Sequence, residues 1–149
     1  MKVYLASDHA GFELKNKVKD FLNPLNYEVE DCGDFEATPG DDYPEFIGKA
    51  SEKVSNDPLS RAIVFGKSGA GEEIVANKFK NVRAILGFSK ENVVLARKHN
   101  DANVLSLGSE FVDGEKAIEL VKLFLETPFS GQPRHKRRIE EISKIEDNF

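Results

Sequence analysis

Apolar and polar positions along the chain follow two periods that take turns. Lys2–Ala6 alternates as a strand does. Phe12, Leu14, Val18, Phe21 and Leu22 then gather on one side of a helix, and Asn23-Pro24 ends it, because proline has no N–H to donate and restricts the residue before it. Tyr27–Cys32 alternates as a second strand, and Gly33–Asp42 is a loop with its turn at Thr38-Pro39-Gly40. Phe46, Ile47, Ala50 and Val54 mark a second helix, stopped by Asn56-Asp57-Pro58. Ala62–Phe65 is a compact apolar strand, followed by the loop Gly66–Gly71 and a helix of about two turns through Ile74, Val75 and Lys78. Val82–Leu86, Lys90–Lys98 and Val104–Leu107 continue as strand, helix, strand. Ala117, Leu120, Val121, Phe124 and Leu125 form the clearest helical stripe, at i, i+3, i+4, i+7 and i+8, closed by Thr127-Pro128. A polar helix over roughly Gln132–Ile145 comes last.

Strand then helix, five times over, predicts an α/β fold: a three-layer sandwich with a five-stranded parallel sheet, Rossmann-like, plus an extra C-terminal helix. The thin stripe of that last helix (Ile139, Ile142, Ile145) suits a partner subunit or the surface of its own chain equally. No internal repeat, biased segment or linker interrupts the pattern, so residues 1–149 read as a single domain.

Composition narrows the possibilities. A chain of 149 residues buries roughly 70% of its unfolded surface and needs no disulfide or metal to hold it. Apolar runs stay well short of the ~20 residues of a membrane span. The strand-like opening argues against a signal peptide. The single Cys32 excludes an internal disulfide and fits a reducing cytoplasm. Net charge −5 argues against a general nucleic-acid binder. It also raises the question of where such a protein would hold an anionic ligand.

Ligands of open parallel sheets bind beyond the carboxyl ends of the strands. Those ends here carry Ser7-Asp8-His9, the Gly66–Gly71 loop and Gly108-Ser109-Glu110. The loop after the second strand adds Asp41-Asp42-Tyr43, and the fourth helix ends in Arg97-Lys98-His99-Asn100-Asp101. Three glycines within six residues, entering a helix, let backbone N–H groups converge on an anion, or simply make a tight turn. A P-loop would need glycine where Arg61 stands, and a dinucleotide fingerprint would need one at Ile74. Glu72 and Glu73 open the next helix. Either complements the helix dipole, or one is a general base facing donors that stabilise an enediolate, as an aldose–ketose isomerase requires. A helix turns about 100° per residue, so both cannot face one point. His99 could equally cap its helix. Arg134, Arg137 and Arg138 share one side of the last helix, either solvated or as a phosphate clamp.

Ser7-Asp8-His9-Ala10-Gly11, Asp42-Tyr43-Pro44, Gly66–Glu72, Ala76-Asn77-Lys78, Arg97–Asp101 and Arg134–Arg138 together resemble the ribose-5-phosphate isomerase B family, which includes galactose-6-phosphate isomerase subunits. The resemblance spans nearly the whole chain. It implies a homodimer, sometimes doubled to a tetramer, with active sites shared across it, and no metal or organic cofactor. It also implies interconversion of a phosphorylated aldose and ketose through a cis-enediolate, with ribose 5-phosphate to ribulose 5-phosphate as the expected case. One branch of the family has a cysteine base where Gly66 stands, and the other a glutamate, here Glu72. Carried over residue by residue, Ser68 with the N–H groups of Gly69, Ala70 and Gly71 holds the enediolate. His99 and Asp8 assist ring opening. Tyr43 and Asn100 contact the sugar, and His9, Arg134 and Arg138 contact the phosphate.

Two positions depart from the family. Glu110 stands where an arginine is usual, and Lys67 where glycine is usual. At 4 Å and an effective dielectric of 20, two unit charges interact by about 4 kcal/mol, so an ionised Glu110 in the pocket would offset much of what the arginines contribute. Lys67 adds a cation near the site. Together they raise the alternative of another sugar phosphate. A non-catalytic sugar-phosphate binder is a second alternative, and a nucleotide-binding flavodoxin-like domain, disfavoured by the failed glycine fingerprints, a third.

Overall fold

The computed structural model describes residues 1–149. In chain order the elements are β1 (Lys2–Ser7), α1 (Phe12–Leu22), β2 (Glu28–Asp31), α2 (Tyr43–Asn56), β3 (Arg61–Gly66), α3 (Ala70–Ala76), β4 (Ala84–Leu86), α4 (Lys90–Asn100), β5 (Val104–Gly108), α5 (Gly114–Glu126) and α6 (Pro133–Glu146). The five strands form one sheet in the order β2-β1-β3-β5-β4, and every pairing is parallel. This is the α/β architecture that the alternating pattern predicts.

Because successive strand residues face opposite sides, the three central strands β1, β3 and β5 feed two cores. Val3, Leu5, Ile63, Phe65, Leu105 and Leu107 pack with α1, α4 and α5. Tyr4, Ala6, Ala62, Val64 and Val104 pack with α2 and α3. The α5 stripe is buried at all five of its positions.

Two strands are shorter than their apolar runs. Val82 donates its N–H to Phe79 in a turn, and the Arg83 N–H goes to the Asn103 side chain at 2.7 Å, so β4 starts only at Ala84. Tyr27 and Cys32 likewise lie outside β2. Helix α4 runs two residues beyond Lys98 and stops where Asp101 takes a left-handed conformation, φ 46°. Along α6 only His135 is buried; Ile142 and Ile145 stay exposed beside a groove of about 920 Å³ walled by Phe79, Val82 and Ile85. No helix is long and apolar enough to cross a membrane.

One charged residue is completely shielded from solvent. Lys15 of α1 is fully buried, its Nζ 2.8 Å from Asp31 Oδ1 and also donating to the Asp34 carbonyl, with the Phe12 and Phe35 rings on either side. Burial alone would raise the Asp31 carboxyl, but hydrogen bonds from Lys15, the Gly33 N–H and Lys19 outweigh it and hold the group below its ordinary value. The ion pair fixes the loop after β2, which carries Asp34 and Asp41 and leads into Tyr43 at the start of α2. Removing one partner of a buried pair strands the other charge. Lys15→Ala is therefore expected to cost ~3 kcal/mol in urea unfolding, and Lys15→Met, which keeps the volume, less. Equal, negligible effects would contradict the pairing.

Candidate functional site

The sheet order places the topological switch between β1 and β3, since the chain leaves β1 in one direction for β2 and returns past it for β3. Asp8 and His9 follow β1 there, and Lys67, Ser68, Gly69, Ala70, Gly71 and Glu72 follow β3. Gly69 sits at φ 82°, a left-handed turn that feeds the loop into α3. Tyr43 is brought over by α2: a Cβ on Gly71 would lie 2.6 Å from the Tyr43 hydroxyl oxygen. The Ser68 hydroxyl accepts the Ala70 N–H at 3.2 Å.

Glu72 is 3% exposed, and its carboxyl occupies the space a side chain at position 66 would need; a Cβ on Gly66 would fall 1.8 Å from Glu72 Oε1. Glycine at the end of β3 is thus what admits the carboxyl. Burial pushes the Glu72 carboxyl above its ordinary value, and the nearby Asp8 charge adds to that. The N–H groups of Glu72 itself and Gly69 pull the other way and do not prevail. Glu73 points elsewhere, its Oε1 accepting the Leu86 N–H of β4 at 3.1 Å. The two neighbouring carboxylates are thereby told apart by geometry: Glu73 ties α3 to the sheet, and Glu72 turns into the cleft.

Asp8 is buried and accepts the Gly11 N–H at 3.1 Å. His9 is exposed and leans on Asp41 through a 2.6 Å contact between Nδ1 and Oδ1. Ligand-type atoms of Asp8, His9 and Asp41 fall within 4.8 Å of one another, the spacing a metal ion would need, but the close pair is already bonded to itself. Cys32 lies apart from this cluster; burial raises its thiol to about 11, which makes it a poor nucleophile.

The remaining candidates lie at the other end of the molecule. In a parallel β–α fold a helix runs back against its strands, so α4 delivers His99 and Asn100 to the edge where β5 begins. The Asn100 carbonyl accepts from Arg83 Nε at 2.8 Å, and Asn103 just before β5 donates its N–H to the Arg83 carbonyl. Ser130 donates its N–H to Lys98, and its hydroxyl lies 2.6 Å from His135 Nδ1. His135 is buried and stacks on His99 with ring centroids 4.4 Å apart. Burial, then the charges of His99, Arg134 and Arg138, lower the His135 basicity, so it is neutral near pH 7. Arg134 and Arg138 are exposed on the first turns of α6. Strands of five to six residues separate the two groups by roughly 17–20 Å.

The structure thus assembles Asp8, His9, Tyr43, Lys67, Ser68, Gly69, Ala70, Gly71 and Glu72 at one edge, and His99, Asn100, Arg134 and Arg138 at the other. One chain does not bring them together. Glu110 is exposed on the first edge, its N–H donated to the Lys67 carbonyl at 2.9 Å; no ion pair joins the two side chains, and the arginines of its own chain are out of reach. Sequence reasoning passed over Asp41 and His135, both inside motifs that it quoted. A buried polar neighbour of a candidate histidine would have been the signal, and burial is not visible in a sequence.

A parallel α/β sheet with a buried carboxylate and a glycine loop at its switch point defines a small-molecule enzyme scaffold. Comparison with known proteins gives the particular family. A family model described as Ribose/Galactose Isomerase matches residues 3–142. The ribose-5-phosphate isomerase B of Mycolicibacterium paratuberculosis is 42% identical over 146 residues, covering 98% of this chain and 92% of that one. A crystal structure of ribose-5-phosphate isomerase B from Mycoplasma genitalium with bound ribulose-5-phosphate superposes with a TM-score of 0.95 at 36% identity, covering 99% of this chain and 97% of that one. The Clostridium thermocellum ribose-5-phosphate isomerase B gives 0.94 at 37% identity, covering 99% of each chain. The chain belongs to the ribose/galactose isomerase family.

Because folding raises the Glu72 carboxyl, its ionised form disfavours the folded state at high pH and ceases to do so once it is protonated. Glu72→Gln is expected to melt above the native chain at pH 8, with the gap closing toward about pH 4. A gap that widened on acidification would contradict the buried, raised carboxyl.

Proposed function

We propose that the chain is an aldose–ketose isomerase that interconverts ribose 5-phosphate and ribulose 5-phosphate. The observation that carries this reading is the buried Glu72 carboxyl at the switch point, raised toward the pH where a general base works best. In this reading Glu72 removes the proton from C2 of the open-chain aldose and delivers it to C1, while the C2 hydroxyl gives up its proton and the C1 oxygen gains one, so that C2 ends as the carbonyl and C1 as the alcohol. The negative charge that develops on the oxygens is met by the Ser68 hydroxyl and the N–H groups of Gly69, Ala70 and Gly71. The oxidation at one carbon is balanced by reduction at its neighbour, so no redox cofactor enters, and the proton needs no metal to carry it.

Asp8 and His99 assist opening of the sugar ring, Tyr43 and Asn100 contact its hydroxyls, and His9, Arg134 and Arg138 grip the phosphate. Lys67 adds a cation beside the loop. These roles require both edges of the sheet at one substrate, which one chain cannot supply. A homodimer whose second copy brings His99, Asn100, Arg134 and Arg138 to the Glu72 edge meets the requirement. The exposed Ile142 and Ile145 beside the groove support a helix α6 that packs on another copy. The reading also takes residues 1–149 as one domain working in the cytoplasm, supported by the lone buried Cys32.

The test is direct turnover of ribose 5-phosphate, followed by ketose formation, in the native chain and two variants. Glu72→Gln is expected to lower kcat about 10²- to 10⁴-fold with KM little changed. Gly66→Ala is expected to lower kcat as well, because the new methyl takes the space of the carboxyl. Turnover undiminished in Glu72→Gln would remove Glu72 as the base. Ligand binding without turnover in the native chain would favour a sugar-phosphate-binding protein instead.

A further inference from the structure

Behind the exposed ring of His9 lies a buried carboxylate that no role above uses. Asp41 Oδ1 lies 2.6 Å from His9 Nδ1 and also accepts the His9 backbone N–H at 3.1 Å. The His9 side chain is 41% exposed and that of Asp41 only 9%. One hidden oxygen therefore fixes both the backbone and the ring of a residue 32 positions away. With Nδ1 engaged from behind, Nε2 is the nitrogen left to face outward.

We propose that Asp41 is a positioning residue, which holds His9 as an imidazolium with its Nε2–H presented to the anionic end of the substrate. The proposal rests on the reading of His9 as a phosphate contact. It explains how a site lined by carboxylates can hold a cation for an anion. The charged groups facing His9 are Asp41 and Asp34 from the β2–α2 loop and Asp8 from its own segment, and all three favour its protonated form. The hydrogen bond to Asp41 acts most strongly and outweighs the partial burial that opposes it, so His9 stays charged to higher pH than a free histidine. Asp41 is itself held in place. Its backbone N–H donates to the Thr38 carbonyl at 3.2 Å, and Asp34 in the same loop accepts the Glu36 and Thr38 N–H groups at 3.0 and 2.9 Å. Lys15 pins the same loop from α1.

Because the folded value is raised, the His9–Asp41 attraction is complete below the ordinary histidine value, about 6.5, and fades as pH rises through the raised value. The test follows the His9 ring by NMR, assigned with His9→Gln, in the native chain and in Asp41→Asn. Sulfate is the competing anion, since its charge stays fixed where that of a sugar phosphate changes. Asp41→Asn is expected to lower the His9 midpoint by about one pH unit. It should weaken inhibition by sulfate about threefold to tenfold at pH 7, and raise KM for ribose 5-phosphate more than it lowers kcat. In a His9→Gln background the same substitution should add nothing further. In the native chain, sulfate affinity should fall with the midpoint of the His9 ring, a check that depends on no variant folding. An unmoved His9 midpoint in Asp41→Asn would overturn the proposal. A lowered midpoint with unchanged sulfate affinity would keep the hold of Asp41 on His9 and overturn the anion role of His9.

Discussion

In a sheet of parallel strands joined by helices, every strand runs one way and every helix runs back. That single constraint decides where each chemical group of this protein can be. Residues that follow strands collect at the carboxyl edge, and residues that end helices collect at the opposite edge. Glu72, Asp8 and His9 follow strands, whereas His99 and Asn100 end α4, and α6 starts beside them. Strand length keeps the two sets apart, and no side-chain rotation bridges roughly 17–20 Å. The base proposed at one edge and the cationic set proposed at the other would therefore make two half-sites, which a second copy could join.

Within the first half-site the deciding contact is steric. Glu72 can bury its carboxyl only because residue 66 has no side chain. A cysteine base at that position and a glutamate base at position 72 compete for one space, so a chain with this loop carries one or the other. Burial disfavours the charged form and raises the carboxyl, the direction the proposed general base requires. The stability lost by burying it sits at the switch point.

Much of this was legible in the sequence. Period-two and period-3.6 stripes located all five strands and six helices, because the central strands feed two buried faces and most helices bury one. The ends of β2 and β4 were not legible. Val82 is as apolar as a strand residue, and only the turn at Phe79 and the Asn103 side chain show that the β4 ladder has not yet begun. The motifs named candidate site residues, but motif order carries no depth. The choice between Glu72 and Glu73 needed the Leu86 N–H, and the pairings of His9 with Asp41 and of His99 with His135 join segments whose approach only folding creates. The acidic total of the chain also misled by itself. What matters to an anion is where the cations stand, and His9 stands among carboxylates that favour its protonated form.

The division into two half-sites can be tested by mixing two inactive chains. Glu72→Gln spoils the strand edge and leaves the helix edge intact; His99→Asn does the reverse. Unfolded together and refolded, they form mixed dimers in which one of the two sites is wholly native. Activity on ribose 5-phosphate should return to about a quarter of the native value, since half of the dimers are mixed and each holds one intact site. Activity that stays at the level of the separate variants, in a preparation shown to contain mixed dimers, would mean that Glu72 and His99 do not meet across two chains.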